Sequence, residues 1–254
     1  MSQNTDSATA CVLIIGDEIL SGRTQDLNLQ YIAKTLRRQG VLISVAHVIP
    51  DVEETIIEYV NVTRNRHDYV LTTGGIGPTH DDITAKSIAA AFKVPLIMNE
   101  VIAQRIRSYS TSTDTLNNRL RMAYVPQGAG LIENLTGGPH GFYINNVYAM
   151  AGIPRVLQSM LPTIQFRGGL VMHSGAVEVF VGESWIAAEL KRIQEENQVK
   201  VGSYPFRRNG KYCTTVVVRS HDKDRILKAL DRVKNSVQSR GETIGNVECD
   251  WLQE

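Results

Sequence analysis

Cysteine is scarce in this chain, and the three present, Cys11, Cys213 and Cys249, form no C-x-x-C pair. An odd number of widely spaced thiols, each in or beside an apolar run, speaks against a disulfide framework or a zinc site and for buried reduced thiols. Excess charge of either sign is also lacking. With 27 Lys and Arg against 26 Asp and Glu, the net charge is +1, without the basic surplus of a dedicated nucleic-acid surface. The local cluster Arg207-Arg208 with Lys211 reads as a solvated hairpin turn. No apolar stretch approaches the roughly 20 residues of a membrane span. Residues 1–7 are polar and lack the basic start and apolar core of a signal peptide. The expectation is a cytoplasmic protein with no membrane or nucleic-acid partner. Internal repeats and low-complexity segments are missing too.

What is present is an ordinary globular composition, 43% hydrophobic over 254 residues, enough for one large domain or a medium and a small one. Residues 10–15 read as a buried strand followed by the turn Gly16-Asp17-Glu18. Asp26 is placed to cap a helix whose face is Leu29, Ile32, Ala33 and Leu36, and Gly40 ends it. Residues 41–49 form a second strand. Asp51, with Glu54 three residues on, resembles a capping box for a helix carrying Ile56, Ile57 and Val60. Strands alternating with amphipathic helices imply right-handed βαβ units and a mostly parallel sheet. In such sheets ligands bind at the carboxyl ends of the strands. That rule lines up the Gly16-Asp17-Glu18 turn, Asp51 and a later glycine loop along one edge.

That loop is the most informative stretch: Leu71-Thr-Thr-Gly-Gly-Ile-Gly-Pro-Thr-His-Asp-Asp-Ile-Thr84. Glycines at a strand-to-helix turn let backbone N–H groups approach an anion, and the helix N-terminus adds its dipole. Paired carboxylates beside an anion site invite a hard divalent cation. The bland alternative is a glycine turn followed by an aspartate N-cap. Further on, the pattern becomes irregular: a strand at 94–98, a helix at 100–109, a polar loop at 111–115, a second glycine turn at Gly137-Gly138-Pro139-His140-Gly141, and a strand at 147–151 leading to Gly152-Ile153-Pro154. A boundary near Arg167-Gly168-Gly169 separates domains at 8–167 and 168–254. The second half reads β-α-β-β-α-β, the split βαβ order of a small α+β domain. A K-homology fold has a similar order, but its G-x-x-G loop is missing, and this half carries no acid–base constellation.

Gly16-Asp-Glu-Ile-Leu-Ser-Gly22, Thr24-Gln-Asp-Leu-Asn28, Ile49-Pro-Asp51 and the glycine–aspartate loop ending at Thr84 together resemble the molybdopterin-binding (MoaB/MogA-like) domain family. Within it they are most similar to the CinA amino-terminal branch and the amino-terminal domain of FAD synthase. Gly152-Ile-Pro154 fits that branch's late turn, and the likeness runs from about residue 10 to residue 165. The resemblance implies a Rossmann-like three-layer α/β/α domain that binds a pterin phosphate or an adenine dinucleotide. It also implies metal-dependent cleavage of ADP-ribose or FAD, with Mg²⁺, Mn²⁺ or Co²⁺ as cofactor. The nicotinamide-mononucleotide deamidase domain and the adenylyl-transferring domain are not in the sequence, so neither activity is expected. Where many CinA sequences place an acid after the late proline, this chain has Val156.

On that reading the backbone N–H groups of Gly74, Gly75 and Gly77 hold a phosphate, with Thr73 and Thr84 as hydroxyl donors and Asn28 nearby. Asp81 and Asp82 bind the metal. Asp82, Asp51 and Glu18 form the catalytic set, one of the latter two orienting a water, with His80 as a possible proton donor. Asp51 is equally readable as a helix cap, His80 as a turn residue, and Asn28 as a brace for the first loop. Binding of molybdopterin or a nucleotide without turnover, and molybdopterin adenylylation, are the alternative functions. A homo-oligomer is expected, with the second domain as candidate interface.

Overall fold

The computed structural model describes residues 8–110 and 113–251. The polar segment 1–7 lies outside the described residues. The chain divides between Gly169 and Leu170 into two compact units.

The first unit runs β1 (Ala8–Ile15), α1 (Asp17–Leu20), α2 (Asn28–Arg38), β2 (Val41–Ile49), α3 (Glu53–Arg64), β3 (Tyr69–Thr73), α4 (Thr84–Phe92), β4 (Leu96–Met98) and α5 (Glu100–Tyr109). It continues with α6 (Thr113–Leu120), β5 (Tyr124–Pro126), β6 (Gly130–Ile132), β7 (Gly141–Ile144), β8 (Val147–Met150) and α7 (Pro154–Met160). The main sheet has the order β2-β1-β3-β8-β7-β6. β2, β1, β3 and β8 are parallel neighbours, and β7 and β6 add antiparallel strands at one edge. β1 shows why this is a three-layer structure. Its Cys11, Leu13 and Ile15 pack with α3, α4 and α5 on one face, while Ala10, Val12 and Ile14 pack with α2 and α7 on the other. A strand whose two alternating side-chain sets are both apolar must be covered on both faces.

Local signals set most of the boundaries. Asp26 accepts from the Asn28 and Leu29 N–H groups at 3.2 and 3.0 Å, capping α2 as expected. Gly40 follows α2 at φ +70°. Two expectations are corrected. Residues 113–115 belong to α6 rather than to a polar loop, while 111 and 112 lie outside the described residues. Asp51 does not cap α3: Val52 occupies that position without a side-chain cap bond, and the Asp51 carboxylate is engaged elsewhere.

The second unit runs β9 (His173–Val179), α8 (Glu183–Asn197), β10 (Lys200–Arg208), β11 (Lys211–Ser220), α9 (Lys223–Gln238) and β12 (Ile244–Asp250). Its sheet order β10-β11-β9-β12, antiparallel throughout, is that of a split βαβ domain. Ile186, Leu190 and Ile193 of α8 and Ile226, Leu230 and Val233 of α9 bury against one sheet face. No helix among the described residues is long and apolar enough to cross a membrane.

Candidate functional site

Because β1, β2 and β3 are parallel, their carboxyl ends meet at one edge of the sheet, and the turns that follow are tied together there. Gly16 N–H donates to the Ile49 carbonyl at 3.1 Å, and Asp17 N–H donates to Asp51 Oδ2 at 3.1 Å. The glycine loop then crosses the end of β1. Gly74 adopts φ +107°, and a Cβ there would lie 2.0 Å from the Ile15 carbonyl oxygen. Gly75 adopts φ +65°, and its Cβ would fall 2.1 Å from Thr84 Oγ1 and 3.4 Å from Asp51 Oδ1. Both positions exclude a side chain by conformation and by space.

The loop is braced from within. Asp82 Oδ1 accepts from Gly77 N–H at 2.7 Å, and Asp82 Oδ2 accepts from the N–H and hydroxyl of Thr79 at 2.8 and 2.5 Å. Asp82 thus closes the loop instead of capping α4, whose first N–H, that of Thr84, donates to the Gly75 carbonyl at 3.0 Å. Gly74 N–H is also occupied, donating to the Met150 carbonyl at 3.2 Å. Of the three glycines expected to hold phosphate, Gly75 is the one whose N–H has no partner among the described residues. Thr73 and Thr84, expected as hydroxyl donors to phosphate, are buried and direct their hydrogens to the carbonyls of Ala151 and Gly74 at 3.2 and 3.0 Å. Asn28 is also buried, and its amide donates to Thr73 Oγ1 at 2.8 Å and to the Gly152 carbonyl at 2.7 Å.

Carboxylates gather around Asp51. Burial pushes the Asp51 carboxyl up from its ordinary value; its bond from Asp17 N–H opposes this, and the charges of Asp17, Glu18 and Asp81 add to the rise. Asp81 and His80 are exposed. Among the described residues no three His, Cys, Asp or Glu side chains converge as a metal cage.

Glu18, Gly74, Gly75, Gly77 and Asp82 line a cleft of about 580 Å³. Its opposite wall comes from the second glycine turn, which the sequence showed without linking it to the first. Asn134, 1% exposed, organises that turn: its Oδ1 accepts from the N–H and hydroxyl of Thr136 and from the Ser159 hydroxyl, and its Nδ2 donates to the Pro139 carbonyl. Arg105 of α5 donates to the carbonyls of Gly137 and Asn134 and to His140 Nε2 at 2.9 Å. Since arginine can only donate, His140 is neutral with its proton on Nδ1. Burial, then the Arg105 charge, hold its pKa below the usual histidine value. Ile76, Met122, Ile153, Val156 and Met160 make the rest of the wall apolar. Asn134, Arg105 and His140 do not stand out as site residues in the sequence because nothing in their spacing ties them to the glycine loop at 74–82.

Residues 11–166 match the family described as probable molybdopterin binding domain, and residues 171–243 match the middle domain of FAD synthase. A protein of Archaeoglobus fulgidus is 30% identical over 90% of this chain and 98% of its own length. A CinA-like protein of Kosmotoga olearia is 26% identical over 96% of this chain, which spans 62% of that relative. The solved structure of the protein CinA from Thermoplasma acidophilum, of unknown function, superposes with a TM-score of 0.57 at 29% identity, covering 61% of this chain and 95% of that one.

Proposed function

The chain belongs to the molybdopterin-binding domain family, with CinA-like relatives, and from that premise we propose that it is a metal-dependent pyrophosphatase that cleaves ADP-ribose or FAD and releases AMP. The observation that carries this reading is the closeness of Asp51 to Gly75, whose N–H is unpartnered: a Cβ on Gly75 would stand 3.4 Å from Asp51 Oδ1. A phosphate alone would be repelled by Asp51, Glu18 and Asp81, and a cation alone would leave the amide unmet. A phosphate–cation pair satisfies both.

Asp51 and Asp81 would hold the cation, while Asp82 keeps the loop in shape through its bonds to Gly77 and Thr79. When bound, a divalent cation neutralises charge on the phosphoryl oxygens and makes a bound water more acidic. Gly75 N–H positions the pyrophosphate. Glu18, exposed and lining the cleft, orients the attacking water and accepts its proton. The water oxygen joins one phosphorus, the bond from that phosphorus to the bridging oxygen breaks, and the departing phosphate keeps the bridging oxygen. The apolar wall of Ile76, Met122 and Val156 receives a planar ring.

A second reading, binding of molybdopterin or a nucleotide without turnover, is favoured by two observations. Both oxygens of Asp82 are engaged within its own loop, and Val156 places no acid on the opposite wall. Product analysis separates the two. The protein is incubated with FAD, ADP-ribose and NADH, with and without Mg²⁺, Mn²⁺ or Co²⁺, beside Asp51→Asn and Asp82→Ala. Metal-dependent AMP release, lost in Asp51→Asn, is the expected result. Thermal stabilisation by nucleotide or molybdopterin with no product would leave a binding protein.

A further inference from the structure

Asn28 is 4% exposed, and both hydrogens of its side-chain amide are used, on Thr73 Oγ1 at 2.8 Å and on the Gly152 carbonyl at 2.7 Å. That fixes the orientation of the amide. Turning it over would set its oxygen against the Gly152 carbonyl, and Thr73 has already directed its own hydrogen to Ala151. The remaining atom, Asn28 Oδ1, is buried and has no hydrogen-bond partner. An orphaned amide oxygen in a protein interior is costly unless something donates to it.

Asn28 lines a side cavity of about 60 Å³ together with Glu18, Thr24, Thr73, Gly152 and Pro154. Glu18, Thr24, Gly152 and Pro154 also line the main cleft, so the small cavity opens from it. Its size admits water or a polar substituent of a ligand held in the main cleft. At its Asn28 end the orphaned amide oxygen requires a hydrogen-bond donor, so a phosphate or carbonyl oxygen is rejected there. Its position is next to the phosphate loop, since a Cβ on Gly152 would stand 3.2 Å from Gly74 Cα. The small donors that a nucleotide carries next to its phosphates are its sugar hydroxyls.

We propose that this side cavity is a hydroxyl subsite in which Asn28 Oδ1 accepts a hydrogen bond from a sugar hydroxyl of the bound nucleotide. The inference rests on the dinucleotide reading above and adds a specificity determinant to it. Asn28 thereby reads the sugar on one side while bracing β3 and the Gly152 turn on the other. The subsite selects ligands that carry the hydroxyl over deoxy forms.

The test compares ADP-ribose with analogues lacking one sugar hydroxyl at a time, measured by calorimetric binding to the full chain and to Asn28→Ala. One deoxy analogue should bind wild type about tenfold more weakly than ADP-ribose, the loss of a single buried hydrogen bond. The same analogue and ADP-ribose should bind Asn28→Ala alike. The analogue series on wild type decides the matter even if Asn28→Ala fails to fold. If all analogues bind wild type within twofold of ADP-ribose, or if the tenfold gap persists in Asn28→Ala, the cavity holds only water and the inference is overturned. If wild type binds neither ADP-ribose nor any analogue, the dinucleotide reading falls and takes the subsite with it.

Discussion

Gly74→Ala tests the geometry on which the cleft depends. At φ +107° an alanine meets backbone strain of about 1–2 kcal/mol. Its Cβ would also lie 2.0 Å from the Ile15 carbonyl oxygen, far inside van der Waals contact. Ile15 ends the central strand β1 and Gly74 N–H is itself bonded to Met150, so neither partner can move without disturbing the sheet. Forcing an extra carbon into such a place adds about 1–3 kcal/mol, for a total of about 2–5 kcal/mol. Gly22→Ala is the matched control: it has φ +73° and nothing within 4 Å of its Cβ, so it registers the strain alone. Both tryptophans, Trp185 and Trp251, belong to the second unit, so far-UV circular dichroism in urea, not tryptophan fluorescence, must follow the first. Gly74→Ala should lose about 1–3 kcal/mol more than Gly22→Ala. Equal losses in the two variants would refute the close approach of the loop to β1.

Three other outcomes follow from the same site. Asn134→Ala removes bonds from the Thr136 N–H, the hydroxyls of Thr136 and Ser159, and the bond to Pro139, and should cost about 2–4 kcal/mol in urea unfolding; a loss under about 0.5 kcal/mol, the range of ordinary surface substitutions, would show that the turn stands without it. His140 has a folded pKa below its reference of 6.5, so its share of stability is present above pH 6.5 and is lost as pH falls through the folded value. His140→Gln should flatten that fall in a series of thermal melts, with the part due to His67, also held down by burial, remaining. Asp51 is shifted the other way, so its favourable share is present below its reference of 3.8 and is lost as pH rises through its raised folded value. Asp51→Asn keeps an acceptor for Asp17 N–H, and it should gain stability relative to wild type between pH 4 and pH 8; a gap independent of pH would remove the charge crowding from the account.

Much of this protein was legible in order along the chain. The helix at Glu100–Tyr109, the Asp26 cap and the β-α-β-β-α-β order of the second half are local or periodic features, set by side chains within a few residues of one another. The glycine loop was legible as well, because positive φ at Gly74 and Gly75 leaves its mark in residue type. Partnership was not. Asp51 and Glu54 had cap-like spacing, yet a carboxylate bonds to the nearest unmet donor in space, and that was Asp17, 34 residues away. Thr73 and Thr84 looked like open hydroxyls beside a phosphate loop, and burial turned both onto backbone carbonyls.

The sequence by itself determined the alternation of strands and helices, the need for glycine where the loop passes under β1, and the gathering of acids at the carboxyl ends of parallel strands. Periodicity and residue type act through neighbours in the chain, so these follow without knowing what packs against what. Only the tertiary structure decided which glycine amide is left without a partner among the described residues, which wall faces the glycine loop, and that Asn28 keeps one buried oxygen unmet. Those outcomes depend on hydrogen-bond partners 45 to 124 residues apart, as Asn28 is from Thr73 and Gly152, which no local pattern encodes.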